Sequence, residues 1–221
     1  MLATQKLHRL PAEQQGITLG DFLVPIRIGE RMSSRLRHIA LILLGTALMS
    51  LSANVAFKVA GSPVPVTGQT LSVLVVGGAL GMRRGLLSVL LYIALGLFVP
   101  VYANHASGLS TIVAFGHGAP ALSPVGGYLV SFIFAAALVG WLAENGWDRH
   151  IGGAVGAMLL GEVVIYAIGV PWLALSLGLS PADAIAKGLT PFLVGDAIKI
   201  VIGAGIFPPA WWLVGRGAGE R

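Results

Sequence analysis

Between residues 38 and 214 the chain runs through six apolar stretches that together hold only three Asp, Glu, Lys or Arg side chains, namely Glu162, Asp196 and Lys199. The stretches are roughly 38–57, 66–82, 86–101, 125–143, 151–170 and 191–214. A bilayer-spanning helix needs about 20 mostly apolar residues, with a usual range of about 17–25. Such a chain can bury its backbone polar groups within helices in lipid, and it has too few polar side chains to cover a water-facing surface. Composition agrees: 56% of the residues are hydrophobic, 10% are charged and the mean hydropathy is +0.85, where a soluble domain carries about 25% charged residues. No regular series of alternating segments marks a membrane β-barrel. The expected fold is therefore an all-α integral membrane protein with six transmembrane helices. The second and third stretches are short and nearly contiguous, which predicts a helical hairpin turning at Met82-Arg83-Arg84-Gly85.

Orientation follows from the basic residues, which concentrate in cytoplasmic segments close to the helices. With both termini cytoplasmic, eleven of the 14 Lys and Arg side chains fall inside, Lys58 and Lys187 fall outside, and Lys199 lies within the last span. Residues 1–37 are mixed and charged, and their short apolar stretch 22–26 is broken by Pro25. They lack the apolar core and cleavage site of a signal peptide. This part reads as a cytosolic N-terminal extension, partly lying on the membrane surface, ahead of a transmembrane domain over 38–214 and a short cytosolic tail over 215–221. The expected location is the inner (plasma) membrane, as a multi-pass protein in contact with lipid.

Several chemistries are excluded. With no cysteine in the chain there are no disulfides, thiolate metal sites or cysteine nucleophiles. The net charge of +5 is carried by sparse basic residues with no interleaved aromatic platforms, which argues against nucleic acid. No phosphate-binding loop, dinucleotide fingerprint, HExxH or GxSxG is present, so no enzyme activity or cofactor is expected. Any concentrative transport must draw its energy from another chain.

The 31 glycines let helix backbones approach closely in a bilayer. Gly127, Ser131 and Ala135 form one small-residue stripe, Gly153, Ala157 and Gly161 a second, and Gly152 with Gly156 a GxxxG. Packing within one subunit is the plain reading, and a docking face for a second subunit the other.

Ionisable side chains at membrane depth cost about 2.5–3.5 kcal/mol each on insertion scales, so each needs a partner or a purpose. Asp196 and Lys199, spaced i,i+3, share one face of the last helix. They form either a self-neutralising structural pair or a pocket for a ligand with both N–H donors and a negative charge. Asp196 lies about a turn and a half after Pro191, in the outer half of the membrane. Glu162 could pair with Lys199, carry a proton or face a neighbouring subunit. The proline-punctuated segment from Ser62 to Thr67 is not helical and leads into Gln69, a bidentate hydrogen-bonding side chain. The long loop 102–124 holds Asn104, His105 and His117. Two histidines without a third ligand read as solvent-exposed loop residues, so no metal site is expected. Trp172 follows Gly169-Val170-Pro171 and reads as an anchor at the outer interface.

Four segments taken together resemble a known family. They are Pro63-Val64-Pro65-Val66-Thr67-Gly68-Gln69-Thr70-Leu71, Ser123-Pro124-Val125-Gly126-Gly127-Tyr128-Leu129, Ile165-Tyr166-Ala167-Ile168-Gly169-Val170-Pro171-Trp172-Leu173 and Pro191-Phe192-Leu193-Val194-Gly195-Asp196-Ala197-Ile198-Lys199. In this order, over about residues 40–213, the chain resembles the BioY family, the biotin-specific S components of energy-coupling factor transporters. The resemblance implies a six-helix bundle that captures biotin from outside with high affinity. It also implies a transmembrane coupling subunit and ATPase partners, or a homo-oligomer acting without them. Carried over by position, it implies substrate contacts from Asp196 and Lys199, polar contacts from Gln69 and Asn104, and walls from Tyr128, Tyr166 and Trp172, with the loop before Gln69 as a lid. The chain departs from the family in its first helix, where Thr46 and Ser50 are the nearest small pair to the Ala-xxx-Ala used to dock the coupling subunit. Two other readings stand beside this one. One is a scaffold subunit with a structural Asp196–Lys199 pair, and the other an intramembrane enzyme using Glu162 or Asp196 as a base, for which the sequence offers no nucleophile.

Overall fold

A computed structural model describes residues 17–23, 33–116 and 119–219; residues 1–16, most of the segment between α1 and α2, and His117 of the long loop lie outside the described residues. The described chain is a helical bundle: α1 Gly20–Leu23, α2 Ser34–Ala53, α3 Gln69–Leu80, α4 Met82–Gly96, α5 Gly126–Glu144, α6 Ile151–Leu177, α7 Pro181–Gly188 and α8 Leu193–Gly219. Four of these, α2, α5, α6 and α8, are long and apolar enough to cross a membrane. At 1.5 Å per residue, α3 with 12 residues reaches about 18 Å, short of the ~30 Å hydrocarbon core of a bilayer. It survives at that length because it is wrapped by protein: α2, α4, α5 and α8 all pack on it, and irregular backbone at its ends is tolerated where protein covers it.

The helices sit where their small residues allow. α5 is the central element, packed against α3, α4 and α6. A Cβ on Gly77 of α3 would stand 2.6 Å from the Ala136 carbonyl oxygen of α5, and one on Gly161 of α6 2.4 Å from Leu74 and 2.7 Å from Val139. Ser131 and Ala135 of one stripe and Ala157 of the other are buried, so both stripes serve packing inside the chain. Gly152, half of the GxxxG, faces open space. Thr46 is also turned inward, its hydroxyl donating to the Ile42 and Ser88 carbonyls at 2.9 and 3.0 Å.

Turn chemistry differs from expectation in five places. The α3–α4 hairpin turns on Gly81 alone, at φ 82° and ψ 174°, a backbone region that disfavours a side chain; Arg83 and Arg84 are already in the first turn of α4. Helix α6 runs through Pro171 to Leu177, beyond residue 170. After it comes α7, a short helix capped by the Ser180 hydroxyl on the Asp183 amide at 3.2 Å with Pro181 at its first position, a standard helix start. The long loop contains two 3-10 turns and the hairpin β3 Val113–Gly116 with β4 Ala119–Leu122. A second, two-residue pairing of β1 Ala56–Phe57 with β2 Val66–Thr67 gathers residues 58–65 into a tethered loop.

At the end of the bundle that carries Arg83, Arg84 and Arg149, α1 is clipped in place. The Arg84 guanidinium donates to Asp21 at 2.7 Å and to His38 at 2.9 Å. Burial acts to raise the Asp21 carboxyl, but the Thr18 amide and the Arg84 charge prevail and hold it below its ordinary value. Residues 17–23 thus pack into the bundle, with Thr18 and Leu19 buried, rather than lying apart from it. Nearby Asp148 accepts from the Trp211 indole at 2.6 Å, and burial pushes its carboxyl up to about 6.

Candidate functional site

At the opposite end of the bundle, the loop between β1 and β2, the N-terminus of α3, the 3-10 turn at Ala103–His105 and the facing ends of α5, α6 and α8 enclose a cavity of about 300 Å³. This is within the size range of small-molecule sites. Its walls are mostly apolar, among them Val64, Leu129, Phe132, Ile165 and Phe192, and among the described residues Lys199 is the one charged side chain that lines it.

Lys199 is held by two partners. Its ammonium donates to Asp196 Oδ1 at 2.9 Å and to the Thr70 hydroxyl at 2.9 Å. The Tyr166 hydroxyl donates to the other carboxylate oxygen of Asp196. The Thr70 hydroxyl is also within reach of Asp196 Oδ1, at 3.5 Å, near the outer limit for a hydrogen bond. Asp196 falls in the first turn of α8, where the positive end of the helix dipole favours a carboxylate. It is 4% exposed and stands behind Lys199 and Tyr166 rather than on the cavity wall. A carboxylate with three donors and a cation with two acceptors can both stay charged away from water. The arrangement offers a ligand one cationic donor, pre-positioned.

Gln69 and Tyr128 line the cavity, but their polar atoms are committed to the protein. Gln69 donates to the Tyr92 hydroxyl at 2.6 Å and accepts from Thr67 at 3.1 Å, while the Tyr92 hydroxyl donates to the Val101 carbonyl at 3.2 Å. This chain of bonds pins the start of α3 to α4. Tyr128 donates to the Gly188 carbonyl at 2.7 Å, tying the end of α7 to α5, and meets Tyr166 edge-on at 6.5 Å. Asn104 is different. It adopts the left-handed conformation at φ 57°, one that Asn tolerates, and its carboxamide stands at the cavity mouth with no hydrogen-bond partner among the described residues.

Trp172 does not line the cavity. Its indole donates to the Ser123 carbonyl at 2.9 Å, and its ring lies where a Cβ on Gly127 would be, 2.3 Å from the Trp172 Cβ. Because α6 continues past Pro171, this residue is helical, faces α5 and ties the two helices together.

Sequence reasoning missed Thr70, Tyr102 and the Gln69–Tyr92 bond. Thr70 adjoins Gln69 in a segment already singled out, and that adjacency was the available signal. Tyr102 lines the cavity from a loop and donates to the Ile93 carbonyl at 2.6 Å. Its phenol, pushed up to about 12 by burial, remains a donor. A Cβ on Gly96 would fall 2.2 Å from its ring, so the glycine that ends α4 makes room for it.

Comparison with known proteins bears on this site. The BioY family matches residues 28–216 of the chain. A Pyrococcus horikoshii protein named probable biotin transporter BioY is 34% identical over 164 residues, covering 74% of this chain and 89% of that protein. The biotin transporter BioY of Rhizobium etli is 38% identical over 152 residues, covering 64% and 75%. Among solved structures, the crystal structure of an S-component for biotin from an ECF-type ABC transporter matches with a TM-score of 0.67 at 22% identity, covering 80% of this chain and 93% of that one. At that identity the likeness speaks to the fold.

Proposed function

Because the chain belongs to the BioY family, we propose that it is the biotin-capturing membrane subunit of a vitamin uptake transporter. The observation that carries this reading is the mostly apolar cavity, open at one side, with a pre-positioned ammonium, Lys199, backed by a fully bonded Asp196. Biotin combines a carboxylate, an apolar ring and chain, and a ureido group with two N–H donors and one acceptor. The Lys199 ammonium meets the carboxylate. Asp196, behind the cavity wall, holds that ammonium in place. Asn104, whose carboxamide has no other partner among the described residues, supplies a contact at the mouth. Tyr128 and Tyr166 flank the ring. The loop 58–65 lies over the cavity through Pro63, Val64 and Pro65.

The fold is read as six crossings with both ends in the cytoplasm, in the inner (plasma) membrane: the four long helices plus α3 and α4, whose short spans are completed by the loops at their ends. The basic residues that open α2 and α4 are then inside, and the cavity opens outside. Biotin is cargo rather than cofactor, and the family is one of transporters, not enzymes. As the chain has no phosphate-binding motif, concentrative uptake draws on a coupling subunit with ATPases.

Biotin binding to the purified chain in detergent, compared with desthiobiotin, thiamin and riboflavin, tests the reading. Tight biotin-selective binding is expected. A folded protein that binds none of them would leave the cavity without its ligand and turn the Asp196–Lys199 pair into a structural one.

A further inference from the structure

Glu162 is an ionisable group at membrane depth that the ligand site does not use. It lies on α6 one turn before Tyr166, is 5% exposed, and neither carboxyl oxygen has a hydrogen-bond partner among the described residues. The charged groups beside it are Asp196 and Lys199 of α8. Their bonds are already committed, Lys199 to Asp196 and Thr70, and Tyr166 to Asp196. A groove of about 630 Å³ opens between α6, α7 and α8, lined by alkyl side chains such as Leu159, Val163, Ile185 and Leu193 together with Glu162, Tyr166 and Asp196. Thr70 is what α3 contributes, Tyr128 is what α5 contributes through Tyr166, and among the described residues α7 presents Ile185, and its C-cap Leu189, to the groove, not Asp183 or Lys187. One cation therefore stands beside two carboxyl groups, and the bonds that Lys199 and Tyr166 make to a carboxylate all go to Asp196. A carboxylate with no donor, next to another carboxylate and an apolar groove, is far less favourable than its neutral acid.

We infer that Glu162 is a proton-binding site, a neutral carboxylic acid at neutral pH, linked to the ligand cavity through the shared Lys199. The linkage rests on the biotin reading above; the proton does not. A ligand carboxylate on Lys199 adds negative charge to the same cluster and so favours the protonated form of Glu162. Reciprocally, the proton favours ligand, because an ionised Glu162 would compete with both Asp196 and the ligand for Lys199. Affinity for an anionic ligand then falls as pH rises through the titration of Glu162.

Infrared spectroscopy of the empty protein in detergent tests the first part without any ligand. A carbonyl band of a buried protonated carboxylic acid is expected at neutral pH in the wild type, shifted by isotopic labelling of glutamate and absent from Glu162→Gln. The label assigns the band in the wild type even should the variant fail to fold. A wild-type spectrum with no glutamate-sensitive acid band overturns the inference. Biotin titrations across the pH range in which that band disappears test the linkage. The expectation is about tenfold weaker binding per unit of linkage in the wild type and a flat profile in Glu162→Gln. A wild-type affinity that stays flat while the band is lost overturns the linkage. Failure to bind biotin at any pH, with the band present, overturns the functional reading and leaves the proton site standing.

Discussion

At the scale of single residues, the site is built around a buried ion pair whose members differ in position. Lys199 reaches the cavity, and Asp196 stands behind it and orients both Lys199 and Tyr166. Removing either partner leaves the other charge buried with fewer bonds, a change that costs about 2–5 kcal/mol where such pairs meet a ligand. Biotin binding by folded Asp196→Asn or Lys199→Ala should therefore weaken by roughly thirtyfold to several thousandfold, measured by calorimetric titration. Wild-type affinity in either would remove the pair from the site. Trp172 predicts the opposite pattern. Its indole bonds the Ser123 carbonyl at 2.9 Å, away from the cavity. Trp172→Phe should leave affinity within about a factor of two while lowering stability by about 1 kcal/mol, the usual net worth of one hydrogen bond. A large loss of affinity with unchanged stability would return Trp172 to the cavity wall. The Asp196–Lys199 pair was legible in the sequence because charge at membrane depth is conspicuous. The placement of Trp172 was not, since it depends on α6 continuing through Pro171, and a proline after a glycine looks like a helix end.

At the scale of elements, what holds α3 against α5 is the absence of a side chain. A Cβ at Gly77 would lie 2.6 Å from the Ala136 carbonyl oxygen and 3.0 Å from its Cα, both backbone atoms that cannot rotate away. Gly77→Ala must push the helices apart, and overpacking of this kind costs about 1–3 kcal/mol. The start of α3 bears Gln69 and Thr70, so the same change should also weaken ligand binding. Gly205 of α8 has nothing within 4 Å of its would-be Cβ. Gly205→Ala should be neutral or stabilising by up to about 1 kcal/mol from helix propensity. Thermal unfolding followed by tryptophan fluorescence compares the two; equal effects would show that the α3–α5 approach is not limiting. That small residues would mediate packing is readable from their helical spacing. Which stripe meets which helix is not, because Gly152 and Gly153 adjoin in sequence yet only Gly153 is buried.

At the scale of the whole molecule, the proposed topology sends the end bearing Arg83 inward and the cavity end outward. The absence of native cysteine makes this directly testable. Lys58, in the loop by the cavity, and Arg83, opening α4, are both exposed. A single cysteine at Lys58 should react with a membrane-impermeant maleimide applied outside intact cells, and one at Arg83 only after the membrane is opened; the reverse pattern would invert the topology. Sequence alone determined the class of molecule and the approximate borders of its long helices. Apolar runs of bilayer length leave no other way to satisfy the backbone, and those properties are local. It also located the Asp196–Lys199 pair, whose i,i+3 spacing is a property of one helix. Tertiary structure decided what depends on several segments meeting. It buried a 12-residue α3 too short to span alone, tied α7 to α5 through Tyr128 and Gly188, and packed Trp172 against Gly127 of α5, off the cavity wall. It also left Glu162 beside an ion pair already complete without it. Each of these is settled by which side chains and carbonyls come within bonding distance across the bundle, and no periodicity along a single helix encodes that.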